Sequence, residues 1–278
     1  MKLIQNELDN VRTRIKNFNC ETEQLKTVLS DFLSQDSKFI RTITSVLFTK
    51  ACGEELTEEH YNILTATELI HNASLIHDDA IDNGSIRRGV SSLNQQYGNK
   101  FSIIAGDYLM TLAVSELLKL NNNDVLNIYF DTLSKMCEGE SIQYFQKGKV
   151  PTLDEYLKKT RYKTAELFKA CFVTMQMYTM FPKITEARDF AINYGTAFQI
   201  KNDLEDYKRG TDNSSDIKEG IYTAPVILSN SFKDSDLAIE KTLDLIDNYC
   251  RRARLSIMSV GNNEYSDYLT ELVNKLCN

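Results

Sequence analysis

Apolar residues recur three and four positions apart along nearly the whole chain, the spacing of one face of an α-helix. The pattern predicts helices over 2–16, 21–34, 38–52, 57–82, 100–120, 124–147, 152–180, 185–208, 219–231, 236–258 and 264–276. Thr57-Glu58-Glu59-His60 and Pro151-Thr152-Leu153-Asp154-Glu155 read as helix starts, with acids in the first turn. Loops are expected at Asn121-Asn122-Asn123-Asp124, in part of 82–98, and at 210–216. No repeat of solenoid period and no linker stands out. The reading is an all-α fold, a bundle of long helices in one domain spanning 1–278.

Composition agrees. Of 278 residues only 3 are proline (Pro151, Pro182, Pro225) and 11 glycine, too few for a turn-rich β-sandwich or a glycine-rich nucleotide fold. Lys+Arg 32 against Asp+Glu 39 leaves 32 − 39 = −7, which argues against nucleic acid as a partner. The uncharged runs are shorter than the about 20 residues a spanning helix needs, and the start lacks a signal peptide's apolar core. The six cysteines are scattered with no CxxC, as expected of reduced thiols in a cytoplasmic protein. Three histidines (His60, His71, His77) are too few for a histidine-rich metal site.

Chemistry concentrates at two places. Leu75-Ile76-His77-Asp78-Asp79-Ala80-Ile81-Asp82 closes the helix that begins near Thr57. Residues four apart share a helix face, so Asp78 and Asp82 point the same way, above Ser74, His71 and Thr67. A stripe of small and polar residues ending in two carboxylates suits a cavity with a hard cation at its mouth, and oxygen-only ligands suit Mg2+. A solvated acidic helix end would look the same in isolation. Arg87-Arg88 follow closely; arginines beside a metal site describe a place for a diphosphate.

The second place is Phe198-Gln199-Ile200-Lys201-Asn202-Asp203-Leu204-Glu205-Asp206, where Asn202 and Asp206 share a face with Gln199 one turn before. Phe198, Ile200 and Leu204 make this helix at least half buried. The polar loop 210–216 follows and could close over a ligand to exclude water.

With these segments in hand the chain resembles the trans-prenyl diphosphate synthases of the polyprenyl synthetase family. Residues 68–83 with Arg87-Arg88-Gly89 resemble the family's first aspartate-rich region. Ala105-Gly106-Asp107-Tyr108-Leu109, Lys163-Thr164, the 198–206 segment, Asp216-Ile217-Lys218-Glu219-Gly220 and Thr223-Ala224-Pro225 follow in the family's order. The resemblance implies an isoprenoid synthase fold around a central cavity, a homodimer, and Mg2+-dependent condensation of isopentenyl diphosphate with an allylic diphosphate. It implies that Asp78 and Asp82, with Asp79 supporting, and Asn202 and Asp206 hold Mg2+. It further implies that Arg87, Lys163 and Gln199 contact the allylic diphosphate, and that Thr164 lies near the developing cation. Lys38, Arg41, His71 and Arg88 would hold isopentenyl diphosphate.

The chain departs from the family's pattern in three ways. Asn202 replaces an aspartate, leaving Asp203, Glu205 or Asp206 to compensate. The segment between Asp206 and Asp216 is short and lacks the usual Gly-Lys, for which Lys208 or Lys218 could substitute. Ile221 stands where lysine is common. Ala73, Ser74 and Ile70, below Asp78, carry no aromatic ring to floor a product tunnel, so the expected product is geranylgeranyl or longer. Two alternatives stay open: a non-catalytic subunit of a heteromeric synthase, and a peptide-modifying prenyltransferase. A terpene cyclase fits poorly, because its second motif would need a hydroxyl residue and a glutamate where Asp206 and Gly210 stand.

Overall fold

The computed structural model describes residues 2–210, 214–229 and 235–277, and almost every regular element among them is helical. The chain packs as two compact units, Met1–Val46 with Glu55–Leu126, and Leu47–Glu54 with Asn127–Asn278. The first unit holds α1 (Gln5–Lys16), α2 (Glu23–Ser34), the start of α3 (Ile40–Ala51), α4 (Glu58–Asp82), strands β1 (Ile86–Arg87) and β2 (Val90–Ser91), α5 (Leu93–Tyr97) and α6 (Asn99–Leu118).

Helix α4 is the axis of this unit. It starts where the sequence places it: the Thr57 backbone N–H donates to His60 Nδ1 at 3.0 Å, a capping box in which histidine takes the usual glutamate's role. Its 25 residues span about 37 Å. It is enclosed on most sides, so even Thr65, Thr67, Glu68 and Asn72 are buried. Three of these turn back on their own helix: Thr65 donates to the Tyr61 carbonyl at 2.7 Å, Thr67 to Ile63 at 2.9 Å and Asn72 to Glu68 at 2.7 Å.

Helix α6 packs along α4 through small residues. Ala105, Leu109 and Ala113 are fully buried. A Cβ on Gly106 would lie 2.2 Å from His77 Nε2, so glycine is what lets the His77 ring rest on α6. The opposite face of α6 is open, with Ile103 50% and Ile104 57% exposed. The short uncharged runs of the sequence predict no segment of spanning length. By length and composition alone, α6 is one such helix among the described residues, and it is only partly buried.

The second unit holds most of α7 (Asn123–Gln146), α8 (Leu153–Thr160), a five-residue π-turn at Arg161–Ala165, α9 (Glu166–Gln176), α10 (Ile184–Tyr207), α11 (Ser215–Lys218), α12 (Ala224–Ser229), α13 (Ser235–Met258) and α14 (Glu264–Cys277). Its core is aromatic. Phe48, Phe172, Phe190 and Tyr194 form a chain of rings with centroids 5.3–5.6 Å apart, each contact adding about 1 kcal/mol beyond simple burial.

Three expectations are corrected. The segment 152–180 is not one α-helix: it widens into the π-turn and ends at Gln176. The helix expected over 219–231 contracts to Ala224–Ser229, because Gly220 adopts φ +72° and Pro225 suits only a first turn; positions 230–231 lie outside the described residues. The loop 82–98 contains a hairpin in which Ile86 pairs with Ser91 and Arg87 with Val90. Its two-residue turn, Arg88-Gly89, has φ +53° and +81°, the left-handed pair that a type I′ turn demands. Of the loop 210–216, Thr211, Asp212 and Asn213 lie outside the described residues.

Candidate active site

In the first unit the last turn of α4 carries Asp78 and Asp82, both half-buried on one face. Asp79 is different: it is buried and grips Arg87, with Nη2 2.5 Å from Oδ1 and Nε 3.0 Å from Oδ2. Gly84 makes room for this, since a Cβ there would lie 2.8 Å from Asp79 Oδ1. Burial works against the Arg87 charge, but the Asp79 contact and the charges of Asp78 and Asp82 outweigh it and raise its pKa.

The hairpin turn re-aims the neighbouring arginine. Arg88 donates to Asn72 Oδ1 at 3.0 Å and Ser37 Oγ at 3.4 Å, with its guanidinium 5.5 Å from the Phe32 ring centre. Holding a non-glycine residue at positive φ costs about 1 kcal/mol or more, offset here by those contacts. Beneath Arg88 and Arg41 sits Glu68, fully enclosed, accepting from Thr42 Oγ1 at 2.6 Å. Burial raises the Glu68 pKa, and Thr42, Arg41 and Arg88 pull it back. Glu68 Oε2 has no hydrogen-bond partner among the described residues. His71 feels burial first and then Arg41, Arg88 and Arg87, and all four push its imidazole well below 6.5. Its ring is therefore neutral at pH 7, amid three guanidinium charges. Lys38 is exposed, one residue before Phe39, whose φ of +48° turns the chain into α3. Of the residues below Asp78, Ala73 and Ile70 are in the core, whereas Ser74 is only half-buried and donates to the His71 carbonyl at 2.9 Å.

In the second unit, hydrogen bonds join three segments. Thr164 on the π-turn donates to Gln199 Oε1 at 2.9 Å, Gln199 Nε2 donates to Asp203 Oδ1 at 2.7 Å, and Tyr156 on α8 donates to Asp203 Oδ2 at 2.6 Å. Lys163 pairs with Glu140 on α7. The π-turn is held from both sides: a Cβ on Gly139 would lie 2.9 Å from the Lys163 backbone nitrogen, and one on Gly195 3.0 Å from Ala165 Cα. Glu166, fully enclosed, closes the turn by accepting from Arg161 at 2.8 Å and from Lys169. Single-turn π-bulges are frequent at functional sites because they move side chains off the regular helical register.

Asp206 is buried, accepts from Ser214 Oγ at 2.5 Å and from the Asp216 backbone at 3.2 Å, and lies 3.5 Å from Arg209. Burial, then the charges of Asp203 and Asp206, push the Asp216 carboxyl up to about 7. Asn202 is exposed, as are Lys208 and Lys218; the buried lysine of this region is Lys159. Glu68, Gly139, Tyr156, Lys159 and Glu166 were not singled out from sequence. Tyr156, Thr160 and Lys163 are spaced four and three apart, a helical stripe that could have drawn attention to α8.

Among the described residues no three His, Cys, Asp or Glu side chains converge as a ready-made metal cage. The chemistry nevertheless fits Mg2+, which takes one or two carboxylates and completes its shell with water and phosphate oxygens. Asp78 with Asp82 offers such a pair. In the second unit Asp203, Asp206 and Asp216 lie close enough that the first two add to burial in raising the Asp216 pKa.

The chain is similar to known proteins in both sequence and fold. The chain is 32% identical to a decaprenyl-diphosphate synthase of Dictyostelium discoideum over 89% of its length, while spanning 61% of that protein. Its fold is that of a decaprenyl diphosphate synthase from Rhodobacter capsulatus (TM-score 0.90, 23% identity, 99% of this chain and 97% of that one). It is also that of a polyprenyl synthase from Caulobacter crescentus CB15 complexed with calcium and isoprenyl diphosphate (TM-score 0.89, 24% identity, 99% and 95% covered). The polyprenyl synthetase family model matches residues 22–253, and the chain belongs to that family.

Proposed function

We propose that this protein is a Mg2+-dependent prenyltransferase that condenses isopentenyl diphosphate with an allylic diphosphate (geranyl, farnesyl or geranylgeranyl) into a trans-polyprenyl diphosphate, geranylgeranyl or longer. The observation that carries the reading is the helix α4 itself. One helix presents the Asp78/Asp82 pair at its end and, two turns earlier, a neutral His71 amid Arg41, Arg87 and Arg88. Two anionic headgroups need two such places.

Arg41, Arg88 and His71, with Lys38 on the adjoining turn, bind the isopentenyl diphosphate. Neutral His71 donates one N–H without adding a charge. Asp78, Asp82, Asp203 and Asp206 are the Mg2+ ligands we assign, with Asn202 able to add an uncharged oxygen. Mg2+ bound there would neutralise the departing diphosphate. Arg87, Lys163 and Gln199 hold the allylic diphosphate, and Thr164 fixes Gln199 from the π-turn. The double bond of isopentenyl diphosphate then attacks the allylic carbon as its C–O bond breaks, and the proton lost goes to the departing diphosphate. Ser74, small and reachable, leaves room for a long product. The relatives named decaprenyl and solanesyl synthases support long chains.

We also propose that the open face of α6, with Ile103 and Ile104, pairs with a second copy rather than entering a bilayer, since Lys100, Asp107 and Glu116 interrupt the helix. Localisation in the cytoplasm is our reading of the scattered thiols. Incubating the purified protein with radiolabelled isopentenyl diphosphate, each allylic primer and Mg2+ tests the assignment. Labelled product with no second protein present supports it and excludes a non-catalytic subunit. No product with any primer refutes it.

A further inference from the structure

Lys159 is 7% exposed, and its ammonium makes no ion pair or hydrogen bond among the described residues. Its one close partner is the Tyr156 ring, 5.1 Å away at the centroid. A buried cation with no counter-ion in contact is costly, and proteins rarely retain one without use. Lys159 borders a gap of about 10 Å³, room for about one water, with Gln143, Gln146, Lys147, Lys149 and Ile221, and no acid is among the residues that line it. Lys147 is engaged 3.6 Å from Glu219, so Lys159 is the buried positive charge of this cavity without a carboxylate in contact. Tyr156 holds it beside the acids: the ring that carries Lys159 donates its hydroxyl to Asp203. Burial pulls the Lys159 pKa down, while Asp203 and Asp216 pull it back.

We infer that Lys159 is an anion-binding residue that contacts a diphosphate held next to the Asp203 carboxylate. Its ligand is a diphosphate rather than a bare carboxylate, because the acids beside it favour an anion that brings its own divalent cation. The inference rests on the proposed prenyl transfer but is tested apart from it, with inorganic pyrophosphate as probe.

The full-length protein is titrated with pyrophosphate at saturating Mg2+, and separately with Mg2+ alone, as the parent, Lys159→Met and Lys159→Met/Ile221→Lys. Methionine keeps the length and apolar stem of lysine. We expect Lys159→Met to bind pyrophosphate about tenfold or more weakly, the loss of one charge-assisted contact. Mg2+ alone should bind as well or better, because a positive charge has left its vicinity. Lysine at 221, on the same cavity wall, should recover part of the pyrophosphate affinity. A merely structural Lys159 would lower both affinities together, and that result overturns the inference. So does pyrophosphate affinity within twofold of the parent. If the parent turns over no prenyl substrate yet shows the Lys159-dependent pyrophosphate binding, the functional reading fails and this one stands.

Discussion

Asp79 and Arg87 meet through two nitrogen–oxygen contacts, across the gap between the end of α4 and strand β1. This neighbour of Asp78 therefore spends its charge inside the protein, although three aspartates within five residues look interchangeable in sequence. Asp79→Ala should leave Arg87 without its buried partner and cost roughly 2 kcal/mol. For a chain of this size that lowers the melting temperature by about 4–8 °C. Asp78→Ala should lower the melting temperature less than Asp79→Ala and abolish measurable turnover. Calorimetry and assay of the two variants separate the roles, and equal effects of both on melting would refute the distinction.

His71 gives a pH prediction. Its folded pKa lies well below 6.5, so between the two values the unfolded chain binds a proton that the folded chain refuses. Stability then falls as pH drops below about 6.5 and recovers above it. His71→Gln should remove that part of the slope. Urea midpoints at pH 5.5 and 7.5 measure it, and an unchanged difference in the glutamine variant would count against a neutral imidazole at this position.

Product length should follow Ser74. Because Ser74 is half-buried while Ala73 is enclosed, Ser74→Phe should fold and shorten the main product. Ala73→Phe should instead overpack the core at about 1–3 kcal/mol. Product chromatography beside thermal melts reads both, and an unchanged product distribution in Ser74→Phe would exclude a floor at this height.

Gly139 presses on the backbone of Lys163. In an exposed helix, glycine to alanine gains about 1 kcal/mol. Here the new methyl would meet a backbone nitrogen at 2.9 Å, which cannot swing aside. Gly139→Ala should therefore be destabilising by about 1–3 kcal/mol and should lower kcat more than it raises KM. A more stable, fully active variant would show that the π-turn has slack.

Much of this was written in the periodicity. Thr57 to His60 announced the start of α4, and the four-residue step from Asp78 to Asp82 put both on one face. The charged motifs of both units were legible because their residue types are restricted. What stayed hidden depends on three-dimensional neighbours. Asp79 looks like Asp78 until Arg87 is placed, and strands of two residues are too short to show alternation. Arg161–Ala165 has an ordinary helical composition, and only its close approach to Gly139 and Gly195 in space marks the π-turn. Lys159 reads as one of a surface Lys158-Lys159 pair until burial tells the two apart.

The π-turn also fixes how this protein can change length over time. Each α-helical residue advances the chain by about 100°. Deleting one residue from 161–165 would leave an acceptable uninterrupted helix. It would also rotate Tyr156 and Lys159 by that angle relative to Glu166 and the rest of α9, carrying the tyrosine hydroxyl away from Asp203. Surface loops accept insertions and deletions because their ends can adjust. Here no adjustment is available, so lineages of this protein should vary in length at their loops and keep the residue count from Tyr156 to Glu166 constant.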